Sequence, residues 1–118
     1  MKKVSIIMPN YNHAPFLRER LDSIFAQDYA NKEVILLDDA STDESRTILN
    51  EYAARPEVKH VILNDANSGN TFIQWEKGLS LATGDYIWIA ESDDVADNRL
   101  VSRLVSALEQ SDAMIAFV

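Results

Sequence analysis

The chain has 118 residues, with 11 Lys and Arg against 19 Asp and Glu for a formal charge of −8, and 47% of it is hydrophobic; this describes one globular domain with a single core. The acidic balance leaves no basic stripe to release counterions from a phosphate backbone or to hold an anionic bilayer, which argues against nucleic acid as a partner. With no cysteine there is no disulfide, thiolate metal site or thiol nucleophile, and no apolar run approaches the roughly 18 residues of a membrane span.

Met1-Lys2-Lys3 ahead of Val4 to Met8 is superficially similar to a signal peptide, but the apolar stretch is too short and runs into Pro9-Asn10-Tyr11-Asn12, so it reads as a first strand. Pro15 then opens a helix whose apolar face is Phe16/Leu17, Leu21 and Ile24/Phe25. Val34 to Leu37 is the second strand, and Ser41-Thr42-Asp43-Glu44 forms a capping box before a helix marked by Ile48, Leu49 and Tyr52, which Arg55-Pro56 stops. Val58 to Leu63 is the third strand and Asn64 to Asn70 a polar loop. A third helix, Thr71 to Ala82, keeps the helical period through Phe72, Trp75 and Leu79, while Gly78 weakens it by about 1 kcal/mol. Thr83-Gly84-Asp85 is its exit turn and Tyr86 to Ile89 the fourth strand. Asp97-Asn98 caps a fourth helix on Leu100/Val101, Leu104/Val105 and Leu108, and Ala113 to Val118 is a fifth strand.

This alternation predicts an α/β domain with a mostly parallel sheet flanked by helices, most of the strands buried on both faces, and order 3-2-1-4 among the first strands. The chain stops on an apolar run, so it reads as truncated, cut inside a larger protein. Ligands of such sheets bind outside the carboxyl ends of the strands near the switch point. There the first strand exits into Pro9-Asn10-Tyr11-Asn12, the second into Asp38-Asp39 and the fourth into Glu91-Ser92-Asp93-Asp94. Carboxylates gathered on one edge need a cation, a donor or a ligand to compensate them, and Mg²⁺-type ions held by one or two carboxylates plus substrate phosphates meet that need. No glycine-rich phosphate loop follows any strand. Capping is the competing role for the acidic pairs, and it is the better one for Asp43 and Asp97. Tyr11 offers an aromatic face for a base and Asn12 an amide, whereas His13 and His60 lack the spacing of a zinc site, and Trp75 and Trp88 fall on apolar faces as core residues.

Together the segments Val4 to Asn12, Leu37 to Asp43 and Gly84 to Asp94 resemble the family 2 glycosyltransferases, with their Rossmann-like GT-A nucleotide-diphospho-sugar transferase fold, over nearly the whole chain. The resemblance implies that residues 1–118 are a single donor-binding domain, the N-terminal part of a longer enzyme. Such an enzyme transfers a sugar from a nucleotide diphosphate, a UDP-sugar here, to an acceptor hydroxyl with inversion, assisted by Mg²⁺ or Mn²⁺. By the same resemblance Pro9, Tyr11 and Asp39 contact the base, Tyr11 by stacking and Asp39 by accepting from a uracil ring nitrogen, with Asn12 beside them. Asn67 belongs to the donor site, Asp93 approaches the ribose and Asp94 holds the metal. The family's arginine in the third helix is absent, with Lys77 nearby, and the family's catalytic base is expected beyond residue 118. The alternatives are a non-catalytic nucleotide-binding domain and a receiver-like signalling domain, the latter disfavoured because no acidic pair follows the first strand. A cytoplasmic location, or a membrane-peripheral one for the full-length protein, is the expectation; the acceptor stays open among saccharide, lipid and protein.

Overall fold

The computed structural model describes residues 2–92 and 97–109, and the backbone of 115–117. In chain order the elements are β1 (Val4–Asn10), α1 (Ala14–Phe25), β2 (Lys32–Asp38), α2 (Ser45–Tyr52), β3 (Val58–Leu63), α3 (Thr71–Leu81), β4 (Tyr86–Ile89), α4 (Leu100–Glu109) and β5 (Ile115–Phe117). They build a five-stranded sheet of order β3-β2-β1-β4-β5 in which every pairing is parallel. The order expected for the first strands is the one observed, and strand order reverses between β1 and β4.

Period-two alternation divides β1 between two cores. Val4, Ile6 and Met8 join Leu17, Leu21 and Ile24 of α1, Ile48, Leu49 and Tyr52 of α2, Trp88 of β4, and Val101 and Val105 of α4. Ile7 faces the other way with Ile35, Leu37 and Ile89, against Trp75 and Leu81 of α3. Each such aliphatic side chain, fully buried, contributes about 1.5–3 kcal/mol. Arg20 is buried with these residues, its guanidinium 5.2 Å from the centroid of Trp88, which turns a long cationic side chain into core packing.

Several expectations change. β1 and β2 are buried throughout, but β3 is only half-buried because it is an edge strand. Phe16 is 54% exposed, since the face of α1 toward the sheet runs through Leu17, Leu21 and Ile24. No capping box forms before α2: Glu44 is its N-cap without a side-chain bond, and Asp43 instead accepts from Ser45 N at 2.8 Å and Ala14 N at 3.0 Å, serving two helix starts.

The largest correction concerns α3. Phe72 is 67% exposed and Leu79 is exposed too, while Gln74 and Gly78 are buried. A Cβ on Gly78 would stand 2.4 Å from Ile7 Cγ2, so the glycine permits the helix to lie directly on β1. Asn70 caps the helix by accepting from Phe72 N at 2.7 Å. None of the helices among the described residues is long and apolar enough to cross a membrane.

Candidate functional site

At the carboxyl edge the exits of β1 and β2 are stitched together before any ligand is considered. Asp39 N donates to Asn10 O at 3.0 Å and Asn64 N to Asp38 O at 2.9 Å, while on the far side of β1 Ala90 N donates to Ile7 O at 2.8 Å. Above this floor lies a cleft of about 110 Å³. Pro9, Asn10, Tyr11 and His13 line it from the end of β1, Asp39 from β2, Thr71 and Gln74 from the first turns of α3, and Glu91 and Ser92 from beyond β4.

The two neighbouring aspartates have different surroundings. Asp38 is fully buried and accepts from Asn10 Nδ2 at 2.9 Å, Ser41 N at 2.9 Å and Ser41 Oγ at 2.6 Å. Asp39 faces the cleft and anchors the 64–70 loop: Oδ1 accepts from Asn64 Nδ2 at 3.0 Å and Ser68 N at 2.8 Å, and Oδ2 from Ser68 Oγ at 2.7 Å. Burial by itself raises the Asp39 pKa, but the Ser68 and Asn64 hydrogen bonds and the charge of Lys77 outweigh it and hold the carboxyl below its ordinary value. It is therefore an anion at neutral pH, with one lone-pair site on Oδ2 left over.

Of the residues singled out from sequence, Pro9, Tyr11 and Asp39 come together in the cleft, and Tyr11 is 46% exposed, its ring available for stacking. Asn12, at φ +54°, spends its amide on the loop: its Oδ1 accepts from Thr42 N at 2.8 Å and its N donates to Ser41 Oγ at 2.9 Å. Asn67 donates to Asp39 O at 3.0 Å and accepts from Gly69 N at 2.7 Å, so both asparagines shape the walls. Asp93 and Asp94 lie outside the described residues. Lys77 bonds Asn64 Oδ1 at 2.7 Å.

Sequence reasoning passed over Asn10 and Gln74 as cleft residues. Asn10 stood inside a quoted motif, and the signal for Gln74 was its i, i+4 relation to Gly78, which marks the true inward face of α3. His13 reaches across the cleft, its Nδ1 2.7 Å from Ser92 Oγ, and so ties the β1 exit to the β4 exit.

No group of three or more His, Asp or Glu gathers for a metal among the described residues. Asp38 and Asp39 each already accept three hydrogen bonds, and the carboxylates that could hold a metal are those of the β4 exit, with Glu91 on the cleft wall and Asp93-Asp94 following in sequence. That is an oxygen-only donor set, which suits Mg²⁺ or Mn²⁺.

Residues 5–118 match the family model described as Glycosyl transferase family 2. The chain is 34% identical over 110 residues to the glycosyltransferase GlyG of Streptococcus pneumoniae, covering 93% of this chain and 36% of that protein. It superposes on S. aureus TarS in complex with UDP-GlcNAc with a TM-score of 0.83 at 28% identity, covering 92% of this chain and 31% of that one. The mannosyltransferase PcManGT of Pyrobaculum calidifontis, solved with GDP-Man and Mn²⁺, gives 0.81 at 28% identity over 91% of this chain and 32% of that one. The chain thus spans about a third of the length of these relatives.

Proposed function

The chain belongs to glycosyl transferase family 2 and has the GT-A fold of its structural neighbours, and from that premise we propose that it is the nucleotide-sugar-binding domain of a longer glycosyltransferase. Membership sets the receiver-type alternative aside. The observation that carries the reading is the convergence of the β1, β2 and β4 exits on one cleft at the point where strand order reverses. The donor is a nucleotide diphosphate sugar, a UDP-sugar in this reading, and the reaction is transfer to an acceptor hydroxyl with inversion. Complexes of relatives with UDP-GlcNAc and with GDP-Man support the donor class.

Tyr11 stacks on the base, which is sequence-tolerant and anchors the donor. Pro9 closes the floor beneath it, and Asp39 accepts from the ring N–H with its remaining lone pair. Asn12 and Asn67 hold the walls in place, and Asp93 takes the ribose. Asp94 would hold Mg²⁺ or Mn²⁺, which when bound would supply positive charge against the charge developing on the leaving diphosphate. Activation of the acceptor falls to a carboxylate outside these 118 residues, in keeping with the chain's share of its relatives' length. A cytoplasmic location, or a membrane-peripheral one for the full-length protein, is the proposed one.

The test is calorimetric titration of UDP into the chain with Mn²⁺, with Mg²⁺ and with EDTA, repeated on Asp94→Ala and Tyr11→Ala. Expected are binding that depends on the metal and is lost in Asp94→Ala, and a loss of roughly tenfold or more in Tyr11→Ala, the order of one base–aromatic stack. Binding of no nucleotide under any of these conditions would overturn the assignment.

A further inference from the structure

Two residues that line the cleft each carry a buried polar atom without a hydrogen-bond partner: Gln74 Nε2 and Asn10 Oδ1. Their side chains are 2% and 3% exposed. Buried polar groups are nearly always satisfied, so an orphan donor and an orphan acceptor on one cavity call for a ligand that completes both. The cavity, about 110 Å³, is several times the roughly 10–15 Å³ that a single water requires.

Which end of each amide is free follows from its hydrogen-bond partners. Lys77 Nζ can only donate, so Asn64 presents Oδ1 to it. Asn64 Nδ2 is then turned to the ionised Asp39 and to Gln74, whose Oε1 accepts it at 3.0 Å. That leaves Gln74 with its NH₂ group free. Asn10 turns Nδ2 to Asp38 Oδ1 at 2.9 Å, with Ser41 Oγ at 3.3 Å as a second partner, and is left with Oδ1. The wall therefore carries a fixed polarity, one donor beside acceptors, and Lys77 acts on it as an orienting group through Asn64.

We propose that Gln74 and Asn10 set the base specificity of the donor site, Gln74 Nε2 donating to a ring carbonyl and Asn10 Oδ1 accepting, with Asp39, from the adjacent ring N–H. This rests on the donor-site reading of the same cleft. The matching edge is a lactam, as in uracil and in guanine. Cytosine and adenine turn an amino group to the Gln74 donor, two donors face to face, and Gln74 cannot flip its amide without losing Asn64. A site built to hydrogen-bond one edge rejects the other because its own buried groups are left unpaired.

The experiment is calorimetric titration of UDP, CDP, GDP and ADP, all with Mn²⁺, into the wild type, Gln74→Leu and Gln74→Glu, with circular dichroism melts to confirm folding. Wild type should bind UDP about tenfold or more tighter than CDP, the scale of one mismatched buried hydrogen bond. Gln74→Leu, which removes the donor, should weaken UDP about tenfold and bring the UDP to CDP ratio toward one. Gln74→Glu keeps an oxygen for Asn64 and puts an acceptor in place of the donor, so the preference should move toward CDP. A wild type that binds UDP and CDP equally, or a ratio unchanged in the folded variants, overturns the pair while leaving the donor site standing. A wild type that binds no nucleotide overturns the donor site and the pair with it. If GDP matches or exceeds UDP, the lactam reading holds with a purine as its occupant.

Discussion

Ala40 is held at φ +62°, where its Cβ crowds the following carbonyl at a cost of about 1–2 kcal/mol. Its neighbours leave it no choice: Asp38 is bound on one side by Ser41 and Asn10, and Asp39 on the other by the 64–70 loop, so the turn between them is over-determined. Glycine at this position relieves the strain but loses more entropy on folding. Ala40→Gly should therefore raise stability by up to about 1 kcal/mol, seen as a melting temperature higher by a few degrees; a lower one would show that the Ala40 methyl makes contacts worth more than the strain. The adjacent carboxylates Asp38 and Asp39 were legible in the sequence as acids at a strand exit. Their division into one buried brace and one cleft anion was not, because it depends on donors such as Asn64 and Ser68 that lie 25 and 29 residues away from Asp39.

Among the elements, α3 repays the closest look. Its residues admit two apolar-looking faces, and Phe72, Trp75 and Leu79 carry the larger side chains, so periodicity favours that stripe. Packing keeps only Trp75 of that stripe against the sheet and turns Phe72 and Leu79 outward, because α3 crosses β1 at Ile7 so closely that Gly78 must face it. Helix propensity alone makes Gly78→Ala a gain of about 1 kcal/mol. The contact with Ile7 reverses the sign: overpacking of a filled site costs about 1–3 kcal/mol, and the net expectation is a loss, measured as a lower denaturation midpoint with an unchanged denaturant slope. Because Gln74 lies one turn before Gly78 on the same face, the same variant should also weaken nucleotide binding. The strands were easier to read than the helix faces, since β1 and β2 are apolar on both sides and no choice of face arises.

At the scale of the molecule, the sheet order followed from the alternation of short apolar runs with helical stretches, but the device that closes the end opposite the cleft is invisible in any local window. Glu33, 3% exposed, accepts from Ser5 Oγ of β1, from Thr83 N at 2.7 Å and Thr83 Oγ1 in the turn before β4, and pairs with Lys3 at 3.3 Å. Gly84 N donates to the same Ser5 Oγ at 2.8 Å, so one carboxylate joins β1, β2 and the approach to β4. Burial raises the pKa of Glu33, yet the bonds from Ser5, Thr83 and Lys3 prevail and hold it below its ordinary 4.5. A depressed carboxyl stabilises the fold fully above its unfolded value and loses that contribution as pH falls through the folded one. Asp39 and Asp43 are lowered in the same sense, so acid should loosen the cleft edge and the clamped edge together. Glu33→Gln replaces an acceptor with a donor facing Ser5 and Thr83 and should cost about 1–3 kcal/mol at pH 7. In thermal melts from pH 7 downward, the gap between wild type and variant should stay constant to about pH 5 and narrow below the ordinary carboxylate range. A gap independent of pH throughout would mean that Glu33 serves by shape and not by charge.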